Sequence, residues 1–222
     1  MNRRAGAVSI NNPFLTTEEP APVVSEPLGL DDFLGVGIAA IGPGSPAVAA
    51  GGLASSTVLP RCELPTHPLV CVAGVHGGAG ASTLTALLGE GAFDAGVCWP
   101  VAGGWVRPLP TLGVVLVART HGAGLAAAEL AARAWAAGEL GESLLLGLVL
   151  IDDAPHLTKT QQAAARRLSL MTPAGWHISW QPRWREGLAD LQDAPMRIRR
   201  TVADIRRRAD VPARPSARAT QG

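Results

Sequence analysis

The chain has 222 residues and a formal net charge of +1, which leaves room for one ordinary domain with tails. Hydrophobic residues make up 47% of the sequence and charged residues 17%, a balance that excludes a wholly disordered, charged protein. The three cysteines, Cys62, Cys71 and Cys98, are sparse and show no paired spacing. This excludes a disulfide scaffold and is what we expect of a reduced chain in the cytoplasm.

The charge is unevenly distributed along the chain. Residues 155–222 carry 13 of the 19 basic side chains but 5 of the 18 acidic ones. All basic residues except Lys159 are arginines. A basic end of this kind is compatible with contact to nucleic acid and equally with a solvated face that balances the acidic N-terminal part of the chain.

Residues 1–67 hold eight of the eighteen prolines and show no sustained hydrophobic periodicity, so we expect a disordered tail and linker. The charge-free stretch between Asp32 and Arg61 is interrupted by glycine and proline, which argues against an integral membrane segment. No apolar run follows Arg3 and Arg4, so no secretory signal is expected, and the cytoplasm is the predicted location.

From Leu69 onward, apolar runs alternate with helical patterns. The runs over 69–75, 97–101, 113–118, 144–151 and 176–180 predict strands, and helices are predicted from Ser82 and over 123–137, 160–170 and 196–209. Continuous apolar runs are typical of strands buried on both faces of a parallel sheet. The sequence therefore predicts an α/β domain over residues 68–210, with a mainly parallel sheet flanked by helices, followed by a disordered basic tail over 211–222.

A glycine-rich turn separates the first predicted strand from its helix. Such a turn directs backbone N–H groups into a concavity at a helix N-terminus, where phosphate is the usual ligand. Its glycines let the backbone approach the anion closely. The predicted nucleotide-binding residues are His76, Gly77, Gly78, Ala79, Gly80, Ala81, Ser82 and Thr83.

The segment from His76 to Thr83 resembles the deviant Walker A motif of ParA/MinD-like P-loop ATPases of the SIMIBI class, Lys-Gly-Gly-x-Gly-Lys-Thr-Thr. Segments 114–120 and 146–150 resemble the two strands that follow Walker B in that family, and 178–186 resembles its base-lining stretch. The resemblance covers roughly residues 68–210. It implies ATP or ADP with Mg²⁺ as cofactor and a P-loop NTPase-like fold. It also implies base contacts from Pro182, Arg183 and Trp184.

The chain departs from that family at its charged positions. His76 and Ala81 stand where the family has lysines, and an imidazolium at His76 would replace only part of the missing charge. Asp94 is the only carboxylate in the interval where the family has its Walker B aspartate, as either a Mg²⁺-associated residue or a loop aspartate. We therefore expect a degenerate, shortened member with little or no ATP hydrolysis.

A rival interpretation takes Leu148–Asp153 as the Walker B strand. Asp152 would then hold Mg²⁺ through water, in a site closer to RecA- or AAA-like ATPases. In either interpretation, the hydroxyl of Ser82 or Thr83 at the helix start could cap the helix or bind Mg²⁺. An aspartate that merely ends a strand or caps a helix is equally compatible with the pattern.

The predicted last helix is rich in arginine. Ile198, Val202 and Ile205 would face the domain, while arginines facing outward are candidates for DNA phosphate contacts. These arginines are Arg197, Arg199, Arg200, Arg206, Arg207 and Arg208. A solvated basic face explains the same pattern.

The sequence thus favours a nucleotide-binding regulatory or adaptor module with a protein partner, and a homodimer is compatible with it. The resemblance implies work with partition, conjugation or secretion machinery. Two alternatives stay open: an ATPase that a partner residue completes, and an adaptor that binds no nucleotide and contacts DNA or protein through its basic helix.

Overall fold

The protein is described here by a computed structural model that covers residues 39–46, 59–104 and 109–210. Most of the predicted tail 1–67 and all of the predicted tail 211–222 lie outside these residues. The strands are β1 Ala40–Ile41, β2 Arg61–Leu64, β3 Val70–Gly74, β4 Ala92–Asp94, β5 Trp99–Ala102, β6 Gly113–Arg119, β7 Leu144–Ile151 and β8 Ala174–Ile178. The helices are α1 Ala81–Leu88, α2 Gly122–Ala136, α3 Lys159–Ser169 and α4 Met196–Ala209, with a 3₁₀ turn at Pro182–Arg185.

Six strands form one sheet in the order β1-β8-β7-β6-β3-β4. Every neighbouring pair is parallel except β1 with β8. Because parallel strands need crossover connections, helices alternate with the strands along the chain. The predicted α/β class, with a mostly parallel sheet flanked by helices, is confirmed.

Helices cover both faces of this sheet. On one face, α2 and α3 bury small and large apolar side chains in one cluster, α2 against β6 and α3 against β7 and β8, including Ala128, Trp135 and Leu168. On the other face, α1 packs through Leu84, Leu87 and Leu88, and α4 packs through Ile198, Val202 and Ile205. The predicted inward face of α4 is therefore confirmed. Within β6, Val114 and Leu116 face the first cluster and Val115 and Val117 the second, so both faces are apolar.

The carboxyl ends of β4, β3 and β6 lie side by side. Val72 is the partner of Asp94 on one side and of Val115 on the other, and Gly74 is the partner of Val117. The turns that follow these three strands therefore meet at one edge of the sheet, where open parallel sheets bind ligands.

Two strands precede residue 68, within the range predicted as tail. β1 pairs with β8 at the edge of the main sheet, and β2 pairs in parallel with β5 as a separate two-stranded sheet. Both are short, and β2 alternates exposed and buried positions, so neither gave a sustained apolar signal. The segment predicted as a strand over 97–101 forms β5, which pairs with β2 and lies outside the main sheet.

Cys62 on β2 and Cys98 just before β5 form a disulfide, while Cys71 is buried as a free thiol. The expectation of a fully reduced chain is wrong for this pair, because strand pairing rather than sequence spacing brings the two residues together. The cross-link joins positions 36 residues apart. Closing a loop of that length lowers the entropy of the unfolded chain and so stabilises the folded state by about 4 kcal/mol. A cytoplasmic location stays a prediction.

Among the described residues, no helix is both long and apolar enough to cross a bilayer. The longest helices, α2 and α4, have 15 and 14 residues and carry charged side chains.

The state of the three cysteines gives a prediction that thiol counting can check. Burial raises the pKa of Cys71 to about 12, so near neutral pH this residue stays a protonated, unreactive thiol in the folded chain. With an aromatic disulfide reagent and no reductant, we expect no reactive thiol in the native chain and one after denaturation. After denaturation with a reductant we expect all three.

The variant Cys71→Ala is the control, and it should show no thiol in the denatured, unreduced chain. Three thiols in the denatured chain before reduction would contradict the disulfide. A thiol that reacts rapidly in the native chain would contradict the burial of Cys71.

Candidate functional site

The turn after β3 has the backbone geometry that an anion-binding loop requires. Gly78 and Gly80 have φ angles of 76° and 103°, in the left-handed region that favours glycine. The backbone N–H of Ala79 donates to the carbonyl oxygen of His76 at 3.2 Å and closes the turn. Gly80 is the N-cap of α1 and provides no side-chain cap, so the first N–H groups of this helix have no intrahelical acceptor.

A cavity of about 340 Å³ opens above this turn. Seven of the eight predicted nucleotide-binding residues line it, together with residues from the ends of β3, β4 and β6. The lining residues are Gly74, His76, Gly78, Ala79, Gly80, Ala81, Ser82, Thr83, Asp94, Gly96, Val97 and Arg119. Of the predicted set, only Gly77 lies outside that lining.

Ser82 and Asp94 form the closest polar contact of the cavity. The Ser82 hydroxyl donates to Asp94 Oδ2 at 2.6 Å, and the backbone N–H of Gly96 donates to Asp94 Oδ1 at 2.8 Å. Asp94 is the last residue of β4, next to β3 in the sheet, so it is a strand-end residue and not a loop aspartate. A hydroxyl at a helix start and a carboxylate at the end of the neighbouring strand thus face the same space.

Arg119 brings a positive charge to this cavity from the end of β6. Its Nη1 donates to the carbonyl oxygen of Asp152 at 3.0 Å. Burial lowers the pKa of the Arg119 guanidinium, the nearby charge of Arg185 lowers it further, and the carboxylates of Asp153 and Asp152 oppose the shift. The side chain is therefore a half-buried cation at the wall of the cavity.

His76 is held within its own chain by two hydrogen bonds. Its Nε2 accepts the backbone N–H of Arg119 at 3.2 Å, and its Nδ1 lies 2.8 Å from the carbonyl oxygen of Gly77, to which it donates. The ring also makes an edge contact with His121, with 5.1 Å between the centroids. An acceptor role for Nε2 places the single ring proton on Nδ1, which does not suit the imidazolium considered in the sequence analysis.

Asp152 belongs to a second, buried polar cluster at the ends of β6, β7 and β8. Its Oδ1 lies 2.9 Å from Nε2 of His177 and 3.2 Å from the hydroxyl of Thr120. Thr120 also contacts Asp153 Oδ1, at 3.0 Å. The described residues that line the cavity do not include Asp152, and β6 separates β7 from β3. The geometry therefore favours a structural role for Asp152 over the Mg²⁺-associated role of the rival interpretation.

The three predicted base-side residues form the exposed 3₁₀ turn after β8. Pro182 and Arg183 are exposed, and Trp184 is half-buried against the α4 side of the core. Within the described part of the chain they are not among the residues that line the cavity. The structure thus does not bring them together with the glycine turn.

Several of the arginines predicted to contact DNA are engaged within the domain. Arg206 donates to the carbonyl oxygen of Glu90 at 2.7 Å, and Arg207 and Arg208 both bind the buried carboxylate of Asp204. Arg199 donates to two carbonyl oxygens of the segment before α4. Arg200 is exposed, and Arg197 is half-buried. Arg199 and Arg206 therefore attach α4 to neighbouring segments, whereas Arg207 and Arg208 pair with a carboxylate of the same helix.

The cavity has groups that suit an anion and oxygen atoms that could serve as ligands for a hard cation. Backbone N–H groups of the turn and the Arg119 guanidinium suit phosphate, and the oxygens of Ser82 and Asp94 suit Mg²⁺. In the part of the chain that the structure describes, no group of three or more His, Cys, Asp or Glu side chains could hold a metal by itself. A cation here would need further oxygens from a ligand and from water, which is the usual mode of Mg²⁺.

Arg119 lines the cavity but was not among the site residues predicted from the sequence. It lies about 40 positions after the turn and reaches it through the register of β6 on β3. The sequence did contain an indication of its role in the structure. An arginine at the end of a buried apolar strand is unfavourable in free energy unless polar or charged groups contact it. The loop residues Gly96 and Val97, which also line the cavity, had no comparable signal.

Replacement of Asp152 tests its structural assignment. Asp152→Asn keeps the shape and an oxygen acceptor for Thr120, but it removes the charge that faces His177. We expect the free energy of unfolding to fall by about 1–3 kcal/mol, because a buried polar group loses its charged partner. Urea denaturation checks this, with the exposed Asp190→Asn as the matched control. An unchanged midpoint for Asp152→Asn would contradict the assignment.

Comparison with models of known protein families gives a match. Residues 68–202 match the model of a protein family described as a family of unknown function, DUF6668. No curated protein and no solved structure matches the chain. The matched residues begin just before β3, include the whole lining of the cavity and end within α4. Because they span more than half of its length, the chain belongs to the DUF6668 family.

Proposed function

We propose that this protein binds a nucleoside di- or triphosphate with Mg²⁺ in the cavity above the glycine turn. In this proposal it is a degenerate ParA/MinD-like P-loop protein that hydrolyses ATP slowly or not at all. Its role is that of a regulatory or adaptor module that changes its interactions with a protein partner when nucleotide binds.

The observation that carries the proposal is the 2.6 Å hydrogen bond between Ser82 and Asp94 beside the glycine turn. In P-loop NTPases, a Ser or Thr of the loop and an aspartate at the end of a nearby strand together hold Mg²⁺. Ser82 stands at the position of the first threonine in the motif that this turn resembles. Ser82 and Asp94 therefore bring together a hydroxyl from a helix start and a carboxylate from a strand end, as the Mg²⁺ ligands of P-loop NTPases do.

The position of β4 in the chain gives independent support. β4 lies between α1 and β6, the interval in which the resemblance puts the Walker B strand. It is parallel to β3 and directly beside it, so its last residue, Asp94, faces the start of α1. The short interval thus still provides a carboxylate at the required edge of the sheet.

The residues present fit magnesium as part of a nucleotide complex. Two protein oxygens, from Ser82 and Asp94, with phosphate oxygens and water, would satisfy the preference of Mg²⁺ for few protein ligands. When bound, the ion would supply charge neutralisation for the phosphate chain. The chain itself would position that phosphate chain through the N–H groups of the turn.

The same residues explain why hydrolysis should be weak. Ala81 stands where P-loop enzymes place the lysine that stabilises negative charge as the phosphoryl group is transferred, and one such contact is commonly worth about 10²–10³ in rate. The His76 ring is engaged by Arg119 and Gly77 and does not replace it. Binding without efficient turnover is what this set of groups supports.

Calorimetric titration of the full chain with ADP and ATP, with and without Mg²⁺, tests the proposal. We expect micromolar binding that Mg²⁺ strengthens. Asp94→Asn should weaken binding in the presence of Mg²⁺ by about tenfold or more, with a much smaller effect in EDTA, because it removes a ligand charge and not the phosphate cradle. Ser82→Ala should act in the same direction.

Asp152→Asn is the matched control, since it makes the same chemical change in the second polar cluster and should leave the effect of Mg²⁺ intact. A chain that binds neither nucleotide at millimolar concentration would overturn the proposal. If Asp152→Asn abolishes the effect of Mg²⁺ and Asp94→Asn does not, the rival Walker B assignment is correct.

A further inference from the structure

The glycine turn has no positively charged side chain of its own to balance the charge of a phosphate ligand. Residues 74–83 contain neither lysine nor arginine, and the only lysine of the chain is Lys159, at the start of α3. Backbone N–H groups offer partial charges, whereas a diphosphate carries two or more full negative charges. A cation from outside the turn would therefore decide how tightly such a ligand binds.

Arg119 is built into the wall beside this turn. Gly74 pairs with Val117, so the chain two residues further along β6 lies next to the turn, and the Arg119 backbone N–H is fixed there by His76 at 3.2 Å. A Cβ atom placed on Gly80 would lie 3.7 Å from Arg119 Nε and 3.8 Å from Nη2. The guanidinium thus lies against the residue that directly precedes Ala81.

The surroundings of this guanidinium leave it suited to an anion. Nη1 is used by the carbonyl oxygen of Asp152, and Nε and Nη2 are the nitrogens nearest to Gly80. Arg185, which stacks over Trp180 at 4.7 Å, adds a second positive charge near it. On the acidic side are Asp152, whose carboxylate binds His177, and Asp153, which binds Thr120. The electrostatic energy of a half-buried cation that lies close to another cation becomes more favourable when an anionic ligand binds beside it.

Glycine at position 80 is a requirement of this arrangement. With φ at 103°, a side chain there would be strained, and its Cβ would come within 2.8 Å of Ile151 Cδ1. The same Cβ would lie 3.7 Å from Arg119 Nε, which is an ordinary packing distance. The backbone conformation of the turn and the position of Ile151 therefore require glycine at position 80, and the Arg119 guanidinium packs directly against it.

We propose that Arg119 is the phosphate-binding cation of this cavity: supplied by the neighbouring strand, it takes over the charge of the lysine that Ala81 replaces. The ligand group that it recognises is the diphosphate of a nucleotide. This inference rests on the proposed function and adds the residue that makes a loop without lysine able to bind phosphate.

Titration of the full chain with inorganic pyrophosphate and with ADP, each at fixed Mg²⁺, tests the role of the charge. We expect Arg119→Gln to weaken the binding of both ligands by about tenfold or more, because a charge-assisted contact is lost. Arg119→Lys keeps the charge and should retain most of the affinity. Arg133→Gln on α2, whose partner is the surface residue Glu129, is the control and should bind like the native chain.

A rescue experiment separates the charge from the fold. Adding Ala81→Lys to Arg119→Gln restores a cation beside the turn, and we expect it to recover most of the lost affinity for pyrophosphate. Ala81→Met in the same background has similar length but no charge, and it should recover nothing. Thermal unfolding of each variant shows whether the sheet edge is still intact.

The outcomes distinguish the two proposals. Native-like affinity in Arg119→Gln overturns the role of Arg119 and leaves nucleotide binding standing. Equal losses in Arg119→Gln and Arg119→Lys without rescue by Ala81→Lys also overturn it, since the guanidinium would then act only through the fold. A native chain that binds neither pyrophosphate nor ADP overturns both proposals.

Discussion

The parallel alignment of β4, β3 and β6 is the constraint on which the candidate site depends. It brings the carboxyl end of β4, with Asp94, and that of β6, with Arg119, to opposite sides of the turn that follows β3. None of these residues is near another in the sequence. A change of register by one residue would turn each of these side chains to the other face of the sheet and remove it from the cavity.

The rigidity of this arrangement comes from the two apolar layers beneath it. Leu84, Leu87 and Leu88 hold α1 on one face of the sheet, so the first turn of that helix is fixed in position above β3. On the other face, α2 begins directly after β6, and Gly124 near its start leaves no room for a Cβ between itself and the carbonyl oxygen of Arg119. The polar groups of the cavity are thus held by packing, and a ligand would find them already in place.

How far the sequence predicts this structure follows from the kind of signal that each element carries. β3, β6 and β7 are continuous apolar runs, and α2 to α4 have clear helical patterns, so these elements and the fold class could be predicted. β4 has three half-buried residues and ends in an aspartate, a pattern that a loop shares. The Cys62–Cys98 disulfide and the position of Arg119 depend on which strands pair, and local patterns do not contain that information. The glycine turn was predictable because its backbone chemistry is local, whereas the charges around it come from distant segments.

The origin of the cation also bears on why binding and turnover should separate in such a cavity. A lysine of the loop extends on a flexible stem and can follow the charge that develops on the transferred phosphoryl group, while its ammonium makes no fixed geometric demand. Arg119 has one side of its guanidinium bound to the carbonyl oxygen of Asp152 and its main chain bound to His76. A cation fixed in this way stabilises bound phosphate in whatever state matches its position. Only interactions that strengthen between the ground state and the transition state accelerate a reaction, so a fixed cation raises the rate only where it faces the charge that develops. A cation that faces charge already present in the bound ligand strengthens binding alone. On the proposed function, Arg119 is a cation of this second kind. On the proposed function, exchange of a loop lysine for a strand arginine therefore preserves nucleotide binding and gives up hydrolysis, which is the property expected of a module that responds to a nucleotide without consuming it.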